Sequence, residues 1–308
     1  MEEIDEKLRY LINTTNNNST GFDVNSIRLY DDQIKELQIR QSEIPDVIQF
    51  EVTIPGFKPS LTLYRPSHIA PPLSTLLYMP GGGFVIDAKN YASPLSLLSK
   101  QSGFQICVIN YPLAPENKFP TAHDHCIEIT KKILDNPSLI GASETKLSIA
   151  GDSSGGNIVA IILNELTSDY IEKINSQTLI YPMLDATLSH DSISIYGKGF
   201  GFTKEKIEWY FSQYLEKNSN LKDPKVSPFF TPKLRSDMPP TFIASASHDP
   251  LIDEALAYGE KFKVKSLPVE TKIYPGVIHG FFQMTALLSQ SQKLIEDIST
   301  FITTHNSK

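Results

Sequence analysis

Short apolar runs that alternate with helical patterns constrain this chain more than any other feature. The runs are Ile48–Thr53, Leu61–Tyr64, Leu76–Met79, Phe104–Asn110, Leu147–Ala150, Leu179–Tyr181, Thr241–Ser245 and Val269–Tyr274. From the third onward most alternate with stretches whose apolar residues recur at helical spacing: Tyr91–Ser99, His123–Leu134, Gly156–Leu166, Leu251–Val264 and Ala286–Thr303. Apolar strands alternating with helices predict an α/β fold, a mostly parallel eight-stranded sheet with helices on both faces. The first two runs, joined through Pro55 and Gly56, predict an antiparallel hairpin at its edge.

Two regions stand outside the alternation. Near the N-terminus, Ile27, Tyr30, Ile34 and Leu37 recur at helical spacing, with Asn25 placed to cap the helix. They follow a polar stretch, Asn13 to Gly21, that reads as a loop. The segment between Tyr181 and Thr241 has no strand signal. Within it Thr203 can cap a helix whose Ile207, Tyr210, Phe211, Tyr214 and Leu215 form one wide apolar stripe. This aromatic insertion reads as a lid. The expected organisation is a single domain over residues 1–308, with N-terminal cap helices in 1–45, a cap insertion in 186–222 and a core in 46–185 and 223–308.

At the fifth strand the pattern becomes chemical. Leu147 to Ala150 leads into Gly151-Asp152-Ser153-Ser154-Gly155-Gly156 and then the helical run from Asn157. Strand, tight turn and helix with serine at the apex is a nucleophile elbow. Glycine on either side suits it, because so sharp a reversal would drive a Cβ into its neighbours. The turn also sets the Ser153 hydroxyl at a helix N-terminus, where unpaired N–H groups favour negative charge. Alone, Gly-x-Ser-x-Gly is weak, expected by chance in roughly one chain in ten of this length.

Its partners decide. A serine nucleophile needs a histidine to take its proton and a carboxylate to hold the histidine's tautomer, in the order Ser, Asp/Glu, His. Asp249 is the first carboxylate after the strand Thr241–Ser245, and His279 follows the strand Val269–Tyr274 in a glycine-flanked loop. Asp249 could instead only cap the helix beginning near Leu251, and Asp253 could be the acid, although it sits a turn inside that helix. After the third strand, Gly81-Gly82-Gly83 can aim backbone N–H groups at one point. Gly82, Gly83 and the N–H of Ser154 are the expected oxyanion donors. Phe84, Tyr210, Phe211 and Phe281 are the expected apolar walls of a substrate pocket. His123-Asp124-His125 is the one metal-like pattern, but residues two apart on a helix do not share a face, and no metal is assigned.

Composition narrows the class. The 308 residues are 40% hydrophobic and 20% charged, with net charge −7. That suits a globule and argues against a nucleic-acid surface, which needs a basic face. No run approaches the ~18 apolar residues of a membrane span. The acidic start lacks a signal-peptide pattern, and two cysteines exclude a disulfide framework. A cytoplasmic protein is expected, with a small acyl ester as its partner, no cofactor, and a homodimer left open.

These motifs together resemble the bacterial hormone-sensitive-lipase-like esterases of the α/β-hydrolase superfamily, over nearly the whole chain. The family's Gly-Asp-Ser-Ala-Gly-Gly is Gly151 to Gly156, with Ser154 replacing alanine. Its Tyr-Arg-Leu-Ala-Pro-Glu is similar to Tyr111 to Glu116, its Asp-Pro-Leu-x-Asp to Asp249–Asp253, and its Tyr-x-Gly-x-x-His-Gly-Phe to Tyr274–Phe281. Asp223 to Pro228 resembles the segment returning from cap to core. The resemblance implies an α/β-hydrolase fold with a helical cap, Ser153 as nucleophile, Asp249 as acid, His279 as base, and Gly82, Gly83 and Ser154 at the oxyanion hole. The expected activity is hydrolysis of short- to medium-chain esters through an acyl-enzyme. An amidase or N-deacetylase on the same triad, or a receptor without catalysis, are the alternatives. Pro80 stands where the family usually has histidine before the glycines. Proline contributes no N–H, but the donors lie further on, and what is lost is the histidine's brace on the loop.

Overall fold

Successive residues of a strand face opposite sides of a sheet, and here that alternation divides the apolar residues between two cores. Leu77, Met79, Cys107, Ile109 and Ile149 face one core, while Leu76, Tyr78, Ile106, Val108 and Ala150 face the other. The computed structural model describes residues 3–9, 12, 23–144 and 147–306. Its strands are β1 (Val47–Val52), β2 (Leu61–Pro66), β3 (Thr75–Met79), β4 (Gln105–Ile109), β5 (Leu147–Asp152), β6 (Ile174–Ile180), β7 (Thr241–His248) and β8 (Val269–Ile278). They form one eight-stranded sheet in the order β1-β2-β4-β3-β5-β6-β7-β8. The β1–β2 and β2–β4 pairs are antiparallel and the others parallel. This is the α/β-hydrolase architecture, with the expected hairpin at one edge.

The helices are α1 (Val24–Asp31), α2 (Ala92–Ser102), α3 (Thr121–Asp135), α4 (Ser154–Glu165), α5 (Ser168–Ile171), α6 (Asp191–Tyr196), α7 (Lys204–Tyr214), α8 (Ile252–Val264) and α9 (Ser289–Thr304). Helices α3, α4 and α8 share the first core, and α2 and α9 share the second. In α3 the buried Cys126, Ile129 and Ile133 recur at helical spacing, and burying each isoleucine contributes roughly 1.5–3 kcal/mol. Among the described residues no helix is long and apolar enough to cross a membrane.

Several boundaries differ from the sequence reading, four of them for a clear physical reason. Strand β6 starts at Ile174 rather than Leu179, because the polar Asn175-Ser176-Gln177-Thr178 run is buried between neighbours. Ser176 Oγ lies 2.9 Å from Ser148 Oγ, and the Gln177 amide donates to Thr241 Oγ1 at 2.7 Å. Strands β7 and β8 run on to His248 and Ile278, because a register shift between Ala246 and His248 accommodates Pro275 and Gly276. Near the N-terminus Asp23, not Asn25, caps α1: its Oδ1 accepts the N–H groups of Asn25 and Ser26. That helix tightens to 3-10 geometry over Asp32–Leu37. The polar stretch from Asn13 to Gly21 and the side chains of Tyr30 and Ile34 lie outside the described residues.

The insertion between β6 and β7 carries α6, which the sequence did not signal, and α7. Thr203 Oγ1 accepts the Lys206 N–H at 3.3 Å, so α7 is capped as expected, and Ile207, Tyr210, Phe211 and Tyr214 are buried. Tyr214 ties α7 to the body of the fold. Its hydroxyl lies 2.5 Å from His123 Nδ1, and His123 Nε2 lies 2.9 Å from Asn157 Oδ1. The amide oxygen only accepts, so Nε2 carries the hydrogen and Nδ1 accepts from the tyrosine. Both nitrogens of His123 are thereby used, and burial lowers its pKa to about 4.

Candidate active site

Strand β5 delivers Ser153 in a backbone conformation that side chains avoid, φ 53° and ψ −120°. The surroundings hold it there. The Ser153 N–H donates to the Ile180 carbonyl at 2.9 Å, and the Ser153 carbonyl accepts the Met183 N–H at 3.0 Å. Gly155 lets the following helix close onto β3, since a Cβ there would collide with the Met79 carbonyl. Strain of this kind costs about 1–3 kcal/mol and persists where neighbours over-determine it.

The longer β7 and β8 bring two more side chains to this point. His279 Nε2 lies 2.9 Å from Ser153 Oγ, and His279 Nδ1 lies 2.8 Å from Asp249 Oδ2. A carboxylate on Nδ1 fixes the hydrogen there and leaves Nε2 to accept from the serine. Asp249 is fully buried, and its other oxygen accepts the Leu251 N–H at 2.8 Å. The capping role and the contact with histidine are therefore both present, one on each oxygen. Asp253 faces elsewhere, its Oδ2 accepting the Ser192 N–H at 2.8 Å.

Two aromatic rings enclose His279. Phe202, from the insertion, stacks on it with centroids 4.1 Å apart and planes 14° apart. Tyr181 lies on it at 4.6 Å and 55°. Neither was expected from sequence; the signal for Phe202 was the alternation of glycine and phenylalanine, Gly199-Phe200-Gly201-Phe202, just before the α7 cap.

The glycine loop leaves β3 with Gly82 at φ 113° and Gly83 at φ 59°. Both line a cavity of about 300 Å³ together with Ser153, His279, Tyr181, Phe202 and Tyr210. Ile27, Ile86, Ile278 and Met284 add apolar wall, and Glu36 and Lys206 add charge. A Cβ at Gly83 would collide with the Tyr210 ring, so α7 rests directly on this loop. Ser154 opens α4 behind it, buried.

Asp152, the residue before the serine, anchors the loop from below. Its Oδ1 accepts the Tyr78 hydroxyl and the Gly81 N–H, both at 2.8 Å, and its Oδ2 accepts the Tyr91 hydroxyl at 2.8 Å. Burial raises the pKa of this carboxyl, against the opposing pull of those hydrogen bonds and of nearby His279.

Three of the four expected pocket walls are corrected. Tyr210 lines the cavity; Phe84, Phe211 and Phe281 do not. Phe84 turns away at φ 63° and stacks on Tyr214 at 3.9 Å, inside the first core. Phe281 is buried in the second core against Tyr181 and Tyr274. Phe211 sits one position beyond Tyr210 on α7 and packs into the first core.

Comparison with known proteins agrees with this fold. A family model described as α/β hydrolase fold matches residues 76–283. The chain is 29% identical over 235 residues to an ethyl acetate hydrolase of Pseudomonas putida, covering 75% of this chain and 74% of that protein. It is 29% identical over 272 residues to the carboxylic ester hydrolase LipN of Mycobacterium tuberculosis, covering 85% and 71%. Among solved structures, an ester hydrolase from the metagenome of Lake Arreo, in complex with a bipyridine phosphonate derivative, superposes with a TM-score of 0.89. That structure is 29% identical, and the match covers 98% of this chain and 99% of the other.

Proposed function

The chain belongs to the α/β-hydrolase fold family, and on that premise we propose that it is a carboxylesterase acting through an acyl-enzyme on short- to medium-chain esters. The observation that carries this is the unbroken contact from Ser153 Oγ through His279 to Asp249. Ser153 attacks the ester carbonyl while His279 Nε2 takes its proton, and Asp249 stabilises the resulting imidazolium. The N–H groups of Gly82, Gly83 and Ser154 receive the negative charge that develops on the carbonyl oxygen. Collapse expels the alcohol, protonated by His279, and water then releases the acid by the same steps.

The cavity supports the substrate class. About 300 Å³ of space, walled mainly by apolar and aromatic side chains, suits a small acyl group better than a long one. The insertion of residues 186–222, together with the N-terminal segment within 1–45, forms a cap over it: Phe202, Tyr210 and Lys206 enter from the one, and Ile12, Ile27, Glu36 and Leu37 from the other. The core comprises 46–185 and 223–308.

Ser153→Ala tests the reading. It is expected to abolish p-nitrophenyl butyrate hydrolysis with an unchanged circular dichroism spectrum. Turnover retained in that folded variant overturns the mechanism.

A further inference from the structure

The sequence departs from the hormone-sensitive-lipase-like pattern at Pro80, where a histidine is usual before the glycines, and at Ser154, where alanine is usual after the nucleophile. In space the two positions meet. The Phe84 N–H, at the far end of the glycine loop, donates to Ser154 Oγ at 3.2 Å. The Pro80 carbonyl, at the near end, accepts the Tyr111 hydroxyl at 2.7 Å. The Ser154 and Tyr111 side chains thus hold the two opposite ends of the glycine loop. Tyr111 gives its one hydrogen to Pro80, so its oxygen is free to accept the hydrogen of Ser154. All three residues are buried.

We propose that the Ser154 side chain is a positioning group for the oxyanion loop, linking Phe84 through Tyr111 to Pro80 and so clamping both ends of Gly81-Gly82-Gly83. An alanine at 154 has no atom to receive the Phe84 N–H, and Pro80 has no side-chain donor or acceptor to brace the loop itself. With Asp152 holding the Gly81 N–H, both neighbours of Ser153 in the elbow grip the loop, so nucleophile and oxyanion donors are set in one register. The side-chain role is separate from the backbone N–H that Ser154 offers to substrate, which a substitution to alanine leaves in place.

This inference rests on the esterase reading, so wild-type protein is first labelled with an aryl phosphonate and the label located by peptide mapping. Absence of label on Ser153 would overturn the esterase reading itself. With Ser153 labelled, kcat and KM for p-nitrophenyl butyrate are measured for Ser154→Ala, Tyr111→Phe and the double variant, with thermal midpoints as the folding control. Each single variant is expected to lose about tenfold or more in kcat with KM within about twofold, as a displaced oxyanion donor requires. The double variant is expected to be no worse than the poorer single one, because the links act as one chain. Wild-type kcat in Ser154→Ala, or losses that multiply in the double variant, overturns the proposal. Tyr111→Phe removes one hydroxyl only and is read by the same criteria, so it carries the test even if the Ser154 variant failed to fold.

Discussion

The ring of Phe202 lies parallel to the imidazole of His279, centroids 4.1 Å apart. Phe202 belongs to the insertion and His279 to the end of β8, so this contact joins the insertion directly to the proposed base. Phe202 is also 6.4 Å from Tyr210, whose ring rests on Gly83. The two aromatics span the site from the proposed base to the glycine loop. A ring face over the imidazole restrains its rotation, excludes water, and favours the cation formed when it takes the serine proton.

Phe202→Ala is therefore expected to lower kcat on p-nitrophenyl butyrate about tenfold, within the range of a partly desolvated cation–π contact. Phe202→Leu should recover part of the loss, because it restores the cover without the ring's negative face. Equal kcat values in wild type and Phe202→Ala would show that the stacking does not act on the reaction.

Gly155→Ala is expected to destabilise the protein by about 2–4 kcal/mol, because the added methyl has to displace backbone. The collision is with the Met79 carbonyl at the end of β3, immediately before the glycine loop. Urea unfolding monitored by tryptophan fluorescence measures it; a midpoint equal to wild type contradicts it.

His123 makes stability depend on pH. Its folded pKa is lowered to about 4 by burial, whereas in the unfolded chain it is near ~6.5. The unfolded state therefore takes up the proton first. This contribution is fully present above ~6.5 and is lost as pH falls toward 4, about 3 kcal/mol in order of magnitude. His123→Gln keeps an acceptor for Tyr214 and a donor for Asn157 but cannot titrate there. Its unfolding free energy between pH 7 and 4.5 should fall less steeply than that of wild type, and parallel profiles would refute the assignment.

Glu254 has the opposite sign. Its carboxyl is fully buried, with Oε1 accepting the Leu184 and Asp185 N–H groups. Burial, and then the nearby carboxylates of Asp185 and Asp249, raise its pKa well above the usual range. The folded state holds the proton longer than the unfolded one, so stability declines as pH rises above the unfolded value, ~4.3. Glu254→Gln should raise the thermal midpoint more at pH 8 than at pH 5. A uniform shift at both would argue against a protonated Glu254.

Sequence by itself determined the path of the backbone and the chemistry at its turns. All eight strands, the elbow at Ser153 and the positions of Asp249 and His279 after late strands were legible, because periodicity, glycine and polar punctuation act within a few residues of chain. Tertiary structure decided which side chains meet. Phe84 and Phe281 flank the site in sequence yet turn into opposite cores, while Phe202, far along the chain, closes on His279. The polar half of β6 was hidden for the same reason: Ser176 and Gln177 become strand residues only because Ser148 and Thr241 lie opposite to satisfy them. Facing direction and hydrogen-bond partnership are fixed by packing between distant segments, and no local pattern encodes them.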